Sequence, residues 1–126
     1  MKNGHSIDWG VDYLMQIRSA ESEFIDRGCY AYNKVYFGVR VWPDFKKLDQ
    51  FVDMRFMFTD KGRAETYILQ FVEMAADSSY YGIDIDEVVG AVFIGYIEQN
   101  IKTDRYGNTY VYANLIATRN LGYADL

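Results

Sequence analysis

The chain reads as a mainly β fold with helices, closed into a small barrel, and three observations predict it. A period of two holds from Tyr30 to Trp42, and a second alternating run follows from Phe51 to Phe58. A helical stripe from Ala64 to Ala76 then precedes a terminal hairpin. Half of the 126 residues are apolar and 17% are aromatic, enough for one core without a covalent staple. Pro43 is the single proline, and no Gly/Ser tract or repeat marks a linker. One domain over 1–126 is expected, with an N-terminal segment over 1–28, the barrel over 29–118 and a tail over 119–126.

In the N-terminal segment Leu14, Ile17, Ala20, Phe24 and Ile25 approximate helical spacing between Gly10 and the Arg27-Gly28 pair, which predicts a helix. The first strand follows. Ala31, Val35, Phe37, Val39 and Val41 fall on one side of it, with Asn33 the exception, and Tyr30, Tyr32, Lys34, Tyr36, Gly38, Arg40 and Trp42 on the other. Gly38 is placed for a bend or bulge, and Pro43 ends the strand. The second strand sets Val52, Met54, Phe56 and Phe58 against Asp53, Arg55 and Met57, and Asp60-Lys61-Gly62 supplies a turn.

The helix stripe comprises Tyr67, Ile68, Phe71, Val72, Ala75 and Ala76. Asp84 with Glu87 three residues on has the form of a capping box, so a helical turn should run up to Gly90. Ala91 to Ile101 and Asn108 to Thr118 pair as a hairpin around Thr103 to Gly107. Long strands, one helix and a final hairpin make the layout of an oligonucleotide-binding-like barrel, with Gly38 and Gly95 placed for its curvature. Other small α+β folds fit the same string.

Thirteen Lys and Arg against 18 Asp and Glu give a net charge of −5, which argues against a simple polybasic binder. The charge is segregated: residues 29 to 63 carry 7 bases and 4 acids, whereas residues 64 to 101 carry 7 acids and no base. The longest run without a charged or strongly polar residue, Val88 to Ile97, is about half of what a membrane-spanning helix needs. The first residues lack the apolar core of a secretory signal. A cytoplasmic protein with no membrane partner is expected.

Catalytic signatures are absent: there is no phosphate-binding loop, dinucleotide fingerprint, His-Glu-x-x-His, Cys-x-x-Cys or Gly-x-Ser-x-Gly. Cys29 and His5 are each the only residue of their type, so neither a disulfide nor a Cys/His metal cage is expected. Asp84, Asp86 and Glu87 lack the spacing of a calcium loop and read as capping and solubilising residues. No enzyme, cofactor or metal is expected.

The informative feature is the aromatic face of the first strand, Tyr30, Tyr32, Lys34, Tyr36, Arg40 and Trp42. Bases stack on aromatic planes for about 1–3 kcal/mol each while Lys and Arg neutralise phosphates, so this is the composition of a single-strand binder. The same rings also suit packing beneath another segment, since Tyr and Trp favour strands in any case. The hairpin repeats the theme with Lys102, Arg105 and Tyr106 at its tip and Tyr110 and Tyr112 along one face, although Asp-Arg-Tyr-Gly-Asn is also ordinary turn chemistry.

Three stretches resemble a family of phage and prophage replication-module proteins regarded as single-stranded DNA-binding proteins. The first is Ile7-Asp8-Trp9, similar to the family's early tryptophan segment. The second is Ile25-Asp26-Arg27-Gly28-Cys29-Tyr30 before an alternating strand, similar to its Pro-x-Gly-x-Tyr step. The third is the helix Tyr67 to Ala76, then Ile85-Asp86-Glu87-Val88-Val89-Gly90, Ile97-Glu98 and a Tyr-Gly turn into Thr109-Tyr110-Val111. Ala91 stands where the family has a lysine, Arg27 where it has a small residue, and the region Phe51 to Lys61 is shorter. The resemblance implies an oligonucleotide-binding fold and a role in phage replication or recombination inside the host cell.

Three function classes follow. The favoured one is a non-enzymatic single-stranded nucleic-acid binder that works beside replication proteins. The second is a protein-binding inhibitor whose acid-rich segment 64 to 101 imitates DNA towards a host defence nuclease. The third is a homo-oligomer assembled through the tyrosine-rich sheet.

Overall fold

A computed structural model describes residues 7–125. Five strands, β1 (Tyr13–Asp26), β2 (Ala31–Trp42), β3 (Val52–Thr59), β4 (Ala91–Thr103) and β5 (Thr109–Tyr123), form one sheet in the order β3-β2-β1-β4-β5. Every neighbouring pair is antiparallel. One α-helix, α1 (Glu65–Ala76), lies between β3 and β4. The mainly β fold with a helix before the terminal hairpin is as expected, but the sheet is not closed: β3 and β5 are its two edges. Among the described residues no helix is long and apolar enough to cross a membrane.

The core lies between α1 and one face of the sheet. Alternation places Val35, Phe37, Val39 and Val41 of β2 on that face, opposite Phe58, Phe56, Met54 and Val52 of β3. The apolar stripe of α1 answers with Ile68, Phe71, Val72, Ala75 and Ala76, all buried. Phe71 is the hub, 5.0 Å from the Phe37 ring, 5.1 Å from Phe58 and 5.5 Å from Phe93. Each such ring contributes about 1.5–3 kcal/mol on leaving water.

The expected N-terminal helix is instead strand β1. Met15 and Ile17 point into the core, and a bulge at Arg18 then inserts one residue, so that Ala20, Ser22 and Phe24 continue on the same face. The step of three from Ile17 to Ala20 imitates a helical repeat, and the bulge is its cause. Gly38 lies opposite this bulge, where a Cβ would run into the Ser19 hydroxyl. β4 pairs only with Tyr13 to Gln16, and β3 accompanies β2 only from Lys34 to Val41, so the end of the β1–β2 hairpin, Phe24 to Asp26 with Ala31 to Asn33, extends as a short two-stranded tip.

The terminal hairpin is longer than expected, because β5 runs on to Tyr123 after register shifts opposite Val92/Phe93 and Ile94/Gly95. Gly95 cannot carry a side chain: a Cβ would lie 2.7 Å from the Ile116 carbonyl and 3.0 Å from the Phe93 ring. The tail of β5 also ties down α1, since the Asn120 amide donates to the Ala75 carbonyl at 2.6 Å and the Tyr123 hydroxyl to Ala76 at 3.3 Å. The capping box at Asp84 and Glu87 is present, opening a short 3-10 turn over Ile85–Val88.

Candidate nucleic-acid interface

The face of β2 turned away from α1 has two unlike ends. At the open end Tyr30 and Tyr32 stack with centroids 6.1 Å apart, and the Lys61 ammonium sits 4.2 Å from the first ring and 5.4 Å from the second. Lys61 is held there by its neighbour. Asp60 accepts from the Asn33 N–H at 2.6 Å, the Asn33 amide at 3.0 Å and the Tyr80 hydroxyl at 2.9 Å. Burial pushes the Asp60 carboxyl up, but these hydrogen bonds together outweigh it and leave it below the usual carboxylate range. Tyr36 follows along the face with the Arg55 guanidinium 4.3 Å above its ring.

The other end is closed. Trp42, expected among the stacking aromatics, is 2% exposed and donates its indole N–H to the Leu48 carbonyl at 2.9 Å. The chain between β2 and β3 reaches it from the outer side, which removes it from the platform. Arg40 is also engaged: its Nε and a terminal nitrogen hold both Asp53 oxygens at 2.8 and 3.0 Å, and the guanidinium lies 3.7 Å from the Phe51 ring centroid. The hydrogen-bonded guanidinium lowers the Asp53 carboxyl and is itself raised.

Because the N-terminal segment is a strand, two of its acids join this face: Glu21 opposite Tyr36 and Glu23 opposite Lys34. Glu21 pairs with Arg55 at 2.8 Å. The surface is therefore of mixed charge rather than basic. The acids of α1 lie elsewhere, Glu73 and Asp77 exposed and Glu65 accepting from the Tyr81 hydroxyl.

The β4–β5 hairpin supplies a second set. Tyr110 and Tyr112 lie 6.4 Å apart, and the Lys102 ammonium is 5.8 Å from Tyr112. At the tip the Asp104 carboxylate accepts from the N–H groups of Asn108 and Tyr106, both at 2.9 Å, and from the Tyr110 hydroxyl at 3.1 Å. The Asn108 N–H leads these bonds in holding Asp104 below the usual carboxylate range, against a smaller opposing effect of burial. Arg105 donates to the Tyr106 hydroxyl at 3.1 Å and both project into solvent.

A cleft of about 320 Å³ connects the two sets, lined by Met57, Arg63 and Tyr67 on one side and Asn100, Lys102 and Tyr112 on the other. Met57 is opposite Tyr36 in the ladder, so the tyrosine face of β2 runs across β3 into this cleft. Tyr30, Tyr32, Lys34 and Tyr36 thus share one open face with a route to Lys102 and Tyr112, while Arg105, Tyr106 and Tyr110 stand outside the cleft at the hairpin tip. Lys61, Arg63 and Tyr67 were not among the residues expected here. Lys61 was legible only as part of the Asp60-Lys61-Gly62 turn, Arg63 only as one of the bases of residues 29 to 63, and Tyr67 as part of the helix stripe.

The chain matches no family model, no curated protein and no solved structure.

Proposed function

We propose that the protein binds single-stranded nucleic acid without catalysis, along the outer face of β2 and β3. The observation that carries this reading is the open row Tyr30, Tyr32 and Tyr36 with cations seated on its rings. Such rings, and a guanidinium plane above one of them, offer stacking surfaces to any base, and the cations offer phosphate contacts. The strand order adds support. An oligonucleotide-binding barrel opened along the seam between its third and fifth strands has this order, with a helix between the third and fourth, and binds on its second and third strands. The resemblance of the three sequence stretches is the support for a role in phage replication or recombination.

A fluorescence titration with labelled oligo-dT at two salt concentrations tests the reading. Binding that weakens with salt is expected, with a logarithmic slope of about −0.7 per neutralised phosphate. No binding at low salt overturns the proposal and turns attention to the protein-binding inhibitor.

A further inference from the structure

Of the asparagines among the described residues, three are used by the fold. Asn33 binds Asp60, Asn108 binds Asp104 and Asn120 binds the end of α1. Asn100 and Asn114 differ: both are half-buried on the hairpin strands, and among the described residues neither amide has a hydrogen-bond partner. Asparagine is disfavoured in strands, yet both line the cleft between β3 and the hairpin. The other lining groups fit a nucleotide. Tyr67 and Tyr112 supply aromatic rings, Arg63 and Lys102 supply positive charge, and among the described residues no carboxylate lines the cavity.

We infer that this cleft takes one base of the bound strand and that the Asn100 and Asn114 amides read its edge, so that binding carries a base preference. The inference rests on the proposed single-strand binding and deepens it. An amide offers a donor and an acceptor side by side, which is the pattern of a base's hydrogen-bonding edge, whereas stacking alone is indifferent to base identity. A wrong base leaves a half-buried amide or base group without its partner, and that is how an edge contact discriminates.

The test compares full-length protein on labelled oligonucleotides of dT, dC, dA and alternating dT-dG at one salt concentration. The best and worst should differ by about tenfold, within the discrimination of one good edge contact. In Asn100→Leu/Asn114→Leu the spread should shrink to about twofold, chiefly because the preferred oligonucleotide binds more weakly, while the thermal midpoint is kept and the stacking contribution to all four persists. If the double variant does not fold, Asn100→Leu and Asn114→Leu are read singly, each with a reduced spread. Equal affinities in the unaltered protein, or an unchanged spread in the variants, overturn the edge-reading cleft but leave single-strand binding standing. Failure of all four oligonucleotides to bind overturns both.

Discussion

The two ends of the outer face of β2 carry the same kind of sequence and meet opposite fates. Tyr30, Tyr32 and Tyr36 remain open, with Lys61 and Arg55 above them, whereas Trp42 is sealed by the Leu48 carbonyl and Arg40 is locked to Asp53. Alternation assigns a residue to a face of the sheet. Whether that face meets water depends on which loop folds over it, and the segment between β2 and β3 covers only one end. A stacking platform is therefore expected at the open end and a second, small core at the closed one.

Trp42→Ala separates the ends most sharply. As a buried aromatic it should cost about 3–5 kcal/mol of stability in denaturant unfolding, with the remaining folded protein binding oligo-dT normally. Gly95→Ala belongs with it, since the added methyl meets the Ile116 carbonyl and the Phe93 ring; a loss of about 1–3 kcal/mol is expected in the same assay.

A smaller effect distinguishes the cations. Lys61→Ala should flatten the salt dependence of oligonucleotide binding by about 0.7 in logarithmic slope, and Lys34→Ala likewise if it meets a phosphate. Arg40→Ala should leave the slope unchanged, because Asp53 already holds that guanidinium. A flattened slope in Arg40→Ala would mean that the closed end also binds.

The smallest effect is in acid. The Asp60 carboxyl is lowered in the folded chain, so its stabilisation is complete above the unfolded value near about 4 and is lost as pH falls through the lower folded value. The thermal midpoint should drop across that window, and Asp60→Asn should drop less steeply. Asp53, lowered by Arg40, acts in the same direction in both proteins and leaves a residual slope.

The sequence made β2, β3, α1 and most of the hairpin legible because each keeps a regular period over most of its length, and the capping box because its Asp84 and Glu87 lie at a fixed local spacing. It misled at β1, where the bulge at Arg18 breaks the alternation into a step of three and the mostly exposed stretch from Ser19 to Asp26 gives neither face an apolar bias. It stopped β5 short because the Arg119-Asn120 pair breaks alternation at the register shifts, although Asn120 is there to bind α1. The tyrosine face was legible in the same way. Its closure over Trp42, the acids contributed by β1 and the cleft to Arg63 and Tyr67 all depend on contacts between distant segments, which no local period encodes.

The platform is tested most directly by Tyr32→Ala/Tyr36→Ala, measured for oligo-dT affinity and thermal midpoint in the same preparation. Binding should weaken by about 1–3 kcal/mol for each lost stack, with the midpoint nearly unchanged because these rings lie outside the core. Unchanged affinity in a folded variant, or ready unfolding with normal binding by what remains folded, would contradict a stacking platform on β2.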